Sequence, residues 1–137
     1  MVHALREAHR VLATAGVLVD VRPVIAPLAV EVLAGAEAAW SITAGSYSAP
    51  EDIAAASAAV QQALSCGWFV FEKGLAFDFE IYCDTADELR AYVESRKLRG
   101  AEIPWAEIDQ RRLALSARLR CRRRWSLSTY RRSSTQS

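Results

Sequence analysis

Asp20 and Arg22 stand two residues apart near the far end of an apolar run, Val17-Leu18-Val19 through Val21. Open α/β sheets hold ligands beyond the C-terminal ends of their strands, and an arginine placed there can grip an anion bidentately. The pair is therefore a candidate anchor for a ligand pocket. It can equally well pair with other charged groups at an edge or interface. Trp40, Trp68, Tyr82 and Trp125 are the aromatics available to line such a pocket between sheet and helices, and the same residues can serve as plain core.

Other reactive side chains have little pattern behind them. His3 and His9 are six apart on a predicted helix, on different faces, with no cysteine or carboxylate at ligand spacing. They read as surface histidines, so no metal is expected. Cys66, Cys83 and Cys121 are odd in number and far apart, which argues against a disulfide framework and for a reducing cytoplasm. They read as small hydrophobes at buried or helix-cap positions. Neither Gly-x-Ser-x-Gly nor Cys-x-x-Cys occurs, so no catalytic nucleophile is assigned. Asp78, Glu80 and Asp84 could do acid–base work as neighbouring carboxylates. Strand alternation more simply puts Asp78 and Glu80 on a solvated face, ready to meet arginines as cross-strand pairs.

Those arginines crowd the C-terminus. Up to Gln110 there are 8 Lys/Arg against 16 Asp/Glu, and beyond it nine arginines and no acid, so a net charge of +1 conceals a polar chain. Arg118, Arg120, Arg122, Arg123 and Arg124, followed by Arg131 and Arg132, form a basic strand with Trp125 and Tyr130 interleaved. Three readings follow: pairing within the fold, pairing between subunits, or a nucleic-acid surface with stacking aromatics.

The elements that must position these groups read as follows. Val2, Leu5, Ala8, Val11 and Leu12 recur at helical steps, with Gly16 as the left-handed residue closing the helix. Residues 17–21 predict a strand covered on both faces, ended or made an edge by Pro23 and Pro27. Alternation from Leu28 to Leu33, Gly35-Ala36 and the stretch 38–42 predict a hairpin. Ser48-Ala49-Pro50-Glu51 carries a capping box, opening a helix to about Cys66 that buries Ile53, Ala56, Val60, Ala63 and Leu64 before Gly67. Residues 68–71 and 77–83 predict a hairpin turning at Lys73-Gly74. A second capping box at Thr85 starts a helix to about Lys97, with Leu89, Tyr92 and Val93 inward, which Gly100 breaks. Pro104 opens a helix over 105–118 burying Ile108, Leu113 and Leu115, and residues 119–130 predict a strand before a frayed polar tail at 131–137.

Residues 5–23 (LREAHRVLATAGVLVDVRP) resemble the segment that follows the cofactor site in class I S-adenosylmethionine-dependent methyltransferases. There a helix ending in Arg-Val-Leu meets a Pro-Gly-Gly turn and a hydrophobic strand. Arg10-Val11-Leu12 and residues 17–21 match, whereas Thr14-Ala15-Gly16 keeps only the final glycine of the turn. The later order of aromatic strand, helix and basic C-terminal strand is similar to the closing antiparallel pair of that family. The resemblance implies the later half of a methyltransferase sheet without the glycine-rich loop that holds the cofactor, since no Gly-x-Gly occurs. No cofactor is expected on that ground.

The expected fold is a single α+β domain over 1–130, a mostly antiparallel or mixed sheet with helices packed on one side. Its expected role is a non-catalytic, methyltransferase-like module that homodimerises and binds a protein partner or small ligand. Two alternatives stand beside it: a methyltransferase fragment needing a separate cofactor-binding polypeptide, and a nucleic-acid binder using the arginine-rich strand. No apolar run reaches the roughly 18 residues that span a bilayer, and the N-terminus lacks a signal-peptide pattern, so no membrane role is expected.

Overall fold

The computed structural model describes residues 1–45, 50–96 and 103–134. In chain order the elements are α1 (Val2–Val11), β1 (Val17–Pro23), β2 (Leu28–Ala34), β3 (Glu37–Ala44), α2 (Pro50–Ser65), β4 (Phe69–Cys83), α3 (Ala86–Ser95), α4 (Trp105–Leu115) and β5 (Leu119–Arg132). The class is α+β, with four helices and a five-stranded antiparallel sheet ordered β1-β5-β2-β3, β4 pairing β5 as well. Two compact units divide the chain, Met1–Val24 with Ala49–Phe77 and Trp125–Ser137, and Ile25–Ser48 with Asp78–Arg124.

In the first unit, Leu5, Ala8 and Leu12 of the α1 segment meet Val60, Ala63 and Leu64 of α2 over Leu18, Phe69 and Tyr130. The fully buried residues of α2 are alanines (Ala56, Ala59 and Ala63), while Ile53, Val60 and Leu64 are only half-buried. The capping serine expected for this helix, Ser48, lies outside the described residues, as do Lys97 and Gly100. Gly67 (φ 71) ends α2 as expected, with Trp68 N–H donating to Ala63 O (3.1 Å) and Gly67 N–H to Leu64 O (3.0 Å). That pair of bonds satisfies two terminal carbonyls at once.

Gly16 does not close α1. The left-handed residue is Ala15 (φ 62). Gly16 is needed instead for close approach: a Cβ there would lie 2.8 Å from Ala13 O, and its own carbonyl accepts Arg132 N–H at 2.7 Å.

Nor is β1 covered on both faces. Val17, Val19 and Val21 are exposed, Val19 at 53%, while Leu18 packs inward under α1 and α2. β1 runs antiparallel to β5 in uniform register from Val17↔Arg131 to Pro23↔Trp125. Because Gly16 and Arg132 form a hydrogen-bonded pair in that register, the even-numbered residues of β1 face β5. The N–H and C=O groups of Val17, Val19 and Val21 therefore point to the outer edge.

The turn expected at Lys73-Gly74 is absent, and β4 runs on for 15 residues. A Cβ on Gly74 would sit 3.3 Å from Ser128 Oγ and 3.7 Å from Leu127 O, and Lys73 O accepts from Thr129 Oγ1 at 3.5 Å. The glycine lets β4 pass close to β5 rather than reverse.

In the second unit β2 and β3 form the expected hairpin, turning at Gly35 (φ 65). Thr85 caps α3 as expected: Thr85 Oγ1 accepts Glu88 N–H (3.2 Å), and the Glu88 carboxylate accepts Asp84 N–H (3.0 Å). Leu28, Val30, Val32, Leu89, Val93, Ile108, Leu119 and Cys121 make its core. Leu113 (61% exposed) and Leu115 are not part of it. Ile108 sets the inward face of α4, and the next four-residue step reaches Arg112, whose side chain is largely covered and bonded to Asp109 (3.1 Å). Ser116 (φ 47) then closes α4.

A charged side chain is buried on the opposite face of β2 from this core. Glu31 is 1% exposed, and Arg120 stands directly opposite it across β2 and β5. Arg120 Nε donates to Glu31 Oε2 at 2.8 Å, and Arg122 Nη2 reaches Oε1 at 2.7 Å. A buried carboxylate with two guanidinium partners is tolerable; a buried guanidinium deprived of it is not. Glu31→Ala should cost about 3–5 kcal/mol in urea unfolding, and Glu31→Gln less, because an amide still accepts one bond. Ala15→Gly should instead stabilise by about 0.5–1 kcal/mol, because it relieves a left-handed alanine.

Candidate functional site

The basic strand is answered from within the chain. Besides the Glu31 contacts, Arg118 bonds Asp84 (3.0 Å) and Arg124 bonds Asp78 (3.2 Å), with Arg122 4.0 Å from the same carboxylate. In the first unit Arg131 Nε bonds Glu72 at 2.6 Å, and Arg132 donates to Leu12 O. Asp78 thus forms the cross-strand pair the alternation predicts. Glu80 takes a different partner, the Tyr82 hydroxyl at 2.8 Å. Hydrogen bonding to Glu31 and then to Tyr82 raises the Arg120 pKa above that of a free guanidinium. Pairing of this kind uses the arginine forks that a phosphate backbone would need.

Asp20 and Arg22 do come to a hollow. In the first unit a groove of about 270 Å³ is lined by Met1, Leu5, Leu18, Asp20, Arg22 and Val60 among others. They also pair with each other at 2.9 Å, and Arg22 donates to Ser57 Oγ at 3.1 Å. The pair thus borders a groove while engaged in an ion pair of its own. Trp68 borders a different hollow, described next, and Trp125 lies opposite Pro23 in the β1–β5 ladder. In the second unit the Arg111 guanidinium sits 4.8 Å over the Trp40 ring and Arg118 5.5 Å over Tyr82, both cation–π contacts.

The larger hollow was not legible in the sequence. A cleft of about 690 Å³ in the first unit is bordered by His3, Arg6, Arg10, Trp68, Arg132 and both His9 and Cys66. His3 and His9, on different helix faces, nonetheless edge the same broad opening. The His9 ring packs edge-on to Phe69 (5.7 Å), and its Nε2 is buried without a hydrogen-bond partner among the described residues. Arg6 and Arg10, four apart on α1, were the only hint of a cationic wall; nothing local places Trp68 and Arg132 beside them.

Among the described residues no group of three metal-ligating side chains occurs, and no helix is long and apolar enough to cross a membrane. The chain is an α+β protein with a cleft on α1 bordered by arginines, and among the described residues β1 pairs only with β5. No protein-family model, no curated protein and no solved structure matches it.

The cysteines divide by environment: Cys66 is exposed, and Cys83 and Cys121 are buried. Burial pushes the Cys121 thiol from 9.0 up to about 12, with Cys83 the next cause. Alkylation of the native protein at mild alkaline pH should therefore modify Cys66 alone. The unfolded thiol ionises first as pH rises, so the stability this group contributes is intact below pH 9.0 and lost towards about 12. Urea unfolding should weaken over that window by up to about 1.4 kcal/mol per pH unit from this group, a slope that Cys121→Ala removes.

Proposed function

We propose that the chain is a non-catalytic binding module that homodimerises by pairing β1 with β1 of a second copy. The supporting observation is the outer edge of β1, where Val17, Val19 and Val21 turn their backbone N–H and C=O groups outward and expose their side chains. Such an edge templates strand addition unless charge, proline or a bulge blocks it; the two charges in β1, Asp20 and Arg22, are paired with each other, and its proline, Pro23, is terminal. The edge is self-complementary. With Val19 opposite the partner's Val19, each Val17 meets a Val21, Asp20 faces Leu18 and Arg22 faces Gly16, so no like charges oppose. The strand pairings of the β2–β3 hairpin are with each other and with β5. Descent from the later half of a methyltransferase sheet belongs to the same proposal, supported by Arg10-Val11-Leu12 and the strand after it.

The same edge supports a second reading, a methyltransferase fragment completing its sheet with a separate cofactor-binding polypeptide. Light scattering separates the two. Purified chain at about 50 μM should have twice the monomer mass. Val19→Pro removes an outward N–H without breaking a β1–β5 bond, and should weaken dimerisation at least about tenfold. A monomer throughout that range, or a dimer indifferent to Val19→Pro, would sink the homodimer.

A further inference from the structure

We propose that the α1 cleft binds a small phosphate monoester carrying a flat ring, the chemistry of a nucleoside monophosphate. The site shares nothing with the β1 edge and stands whether or not the chain dimerises.

Charge comes first. Three guanidiniums (Arg6, Arg10 and Arg132) border the opening against one carboxylate, Glu7, which leaves two positive charges even with both histidines neutral. Among the described residues Glu7 engages only Arg10, at its Nε (2.9 Å). Arg6 has no partner among the described residues, and Arg132 commits one terminal nitrogen to Leu12 O. Elsewhere in the chain arginines meet acids, as Arg118, Arg120, Arg122, Arg124 and Arg131 do. Unanswered guanidinium forks at a concave surface match a dianion with three oxygens, which accepts from more than one fork at once. A single carboxylate would neutralise half of this charge.

Shape and the wall follow. About 690 Å³ falls within the range of cofactor and metabolite sites. Trp68, half-buried at the cleft wall, is steadied by the His9 ring at 6.3 Å and 31° and offers a π face for a planar group. The backbone at the corner is already used: Gly67 N–H, Trp68 N–H and Trp68 O bond to Leu64, Ala63 and Ser133. Side chains alone must therefore hold the anion.

Cys66 borders the cleft and is the exposed cysteine, so its alkylation by iodoacetamide reports occupancy in the full chain. Adenosine monophosphate should slow that reaction, inorganic phosphate should compete with it, and adenosine should not protect. Arg6 lies on the exposed side of α1, so Arg6→Gln should leave the melting temperature unchanged while raising the midpoint of protection about tenfold. Failure of adenosine monophosphate to protect at about 10 mM overturns the proposal. So does equal protection by adenosine, an unchanged midpoint in Arg6→Gln, or far stronger protection by a short RNA, which would make the cleft a nucleic-acid surface.

Discussion

A carboxylate buried at 1% exposure must be neutralised, and Glu31 dictates how the second unit is put together. Its two oxygens are answered by Arg120 and Arg122, two residues apart and so on the same face of β5. A one-residue slip of β2 against β5 would carry Glu31 to the other face and strand all three charges. The apolar ladder beside it, Val30↔Cys121 and Val32↔Leu119, tells the core face but tolerates neighbouring registers better. The ion triad supplies the specificity that valine and leucine, similar in shape, cannot.

The rest of β5 extends that logic. Asp78 and Glu72 each meet an arginine of this strand and Asp84 meets Arg118 just before it, so the basic C-terminal stretch and part of the acidic remainder answer each other. Exposed pairs of this sort contribute little individually. Their effect is to choose: an arginine committed to a carboxylate in the same unit is less available to an external polyanion. A nucleic acid bound along the strand would have to displace these carboxylates, whereas Arg6 on α1 has no partner among the described residues.

The first unit is organised differently. Its core is small, built on alanines of α2 and on Phe69 and Tyr130, and its strand β1 is covered on one face only. Leaving valines and an outward-pointing edge exposed is unfavourable for an isolated chain and favourable for an assembling one. The two proposed recognition surfaces, the β1 edge and the α1 cleft, both belong to this unit.

Element identity was legible because it depends on near neighbours. Helical steps marked α1, a capping box marked α3 at Thr85, and alternation with Gly35 marked the β2–β3 hairpin. Glycine was where local reading failed, because the same residue answers two demands. Gly67 and Gly35 supply positive φ, whereas Gly16 clears the turn just before it (Leu12 and Ala13) and Gly74 clears β5, arriving from elsewhere in the chain. Leu113 and Leu115 looked like core by type, yet Leu113, five residues beyond Ile108, lies on the far side of α4, and Leu115, seven beyond and near Ile108's side, is the exposed last residue of the helix. The sequence by itself determined the class, most elements and the candidate partners Asp78 and Arg22. Only tertiary structure decided which arginines are answered, which face of β1 stays open, and that Arg6, Trp68 and Arg132 share a cleft. Local chemistry fixes what a segment prefers to be; long-range packing fixes what it meets.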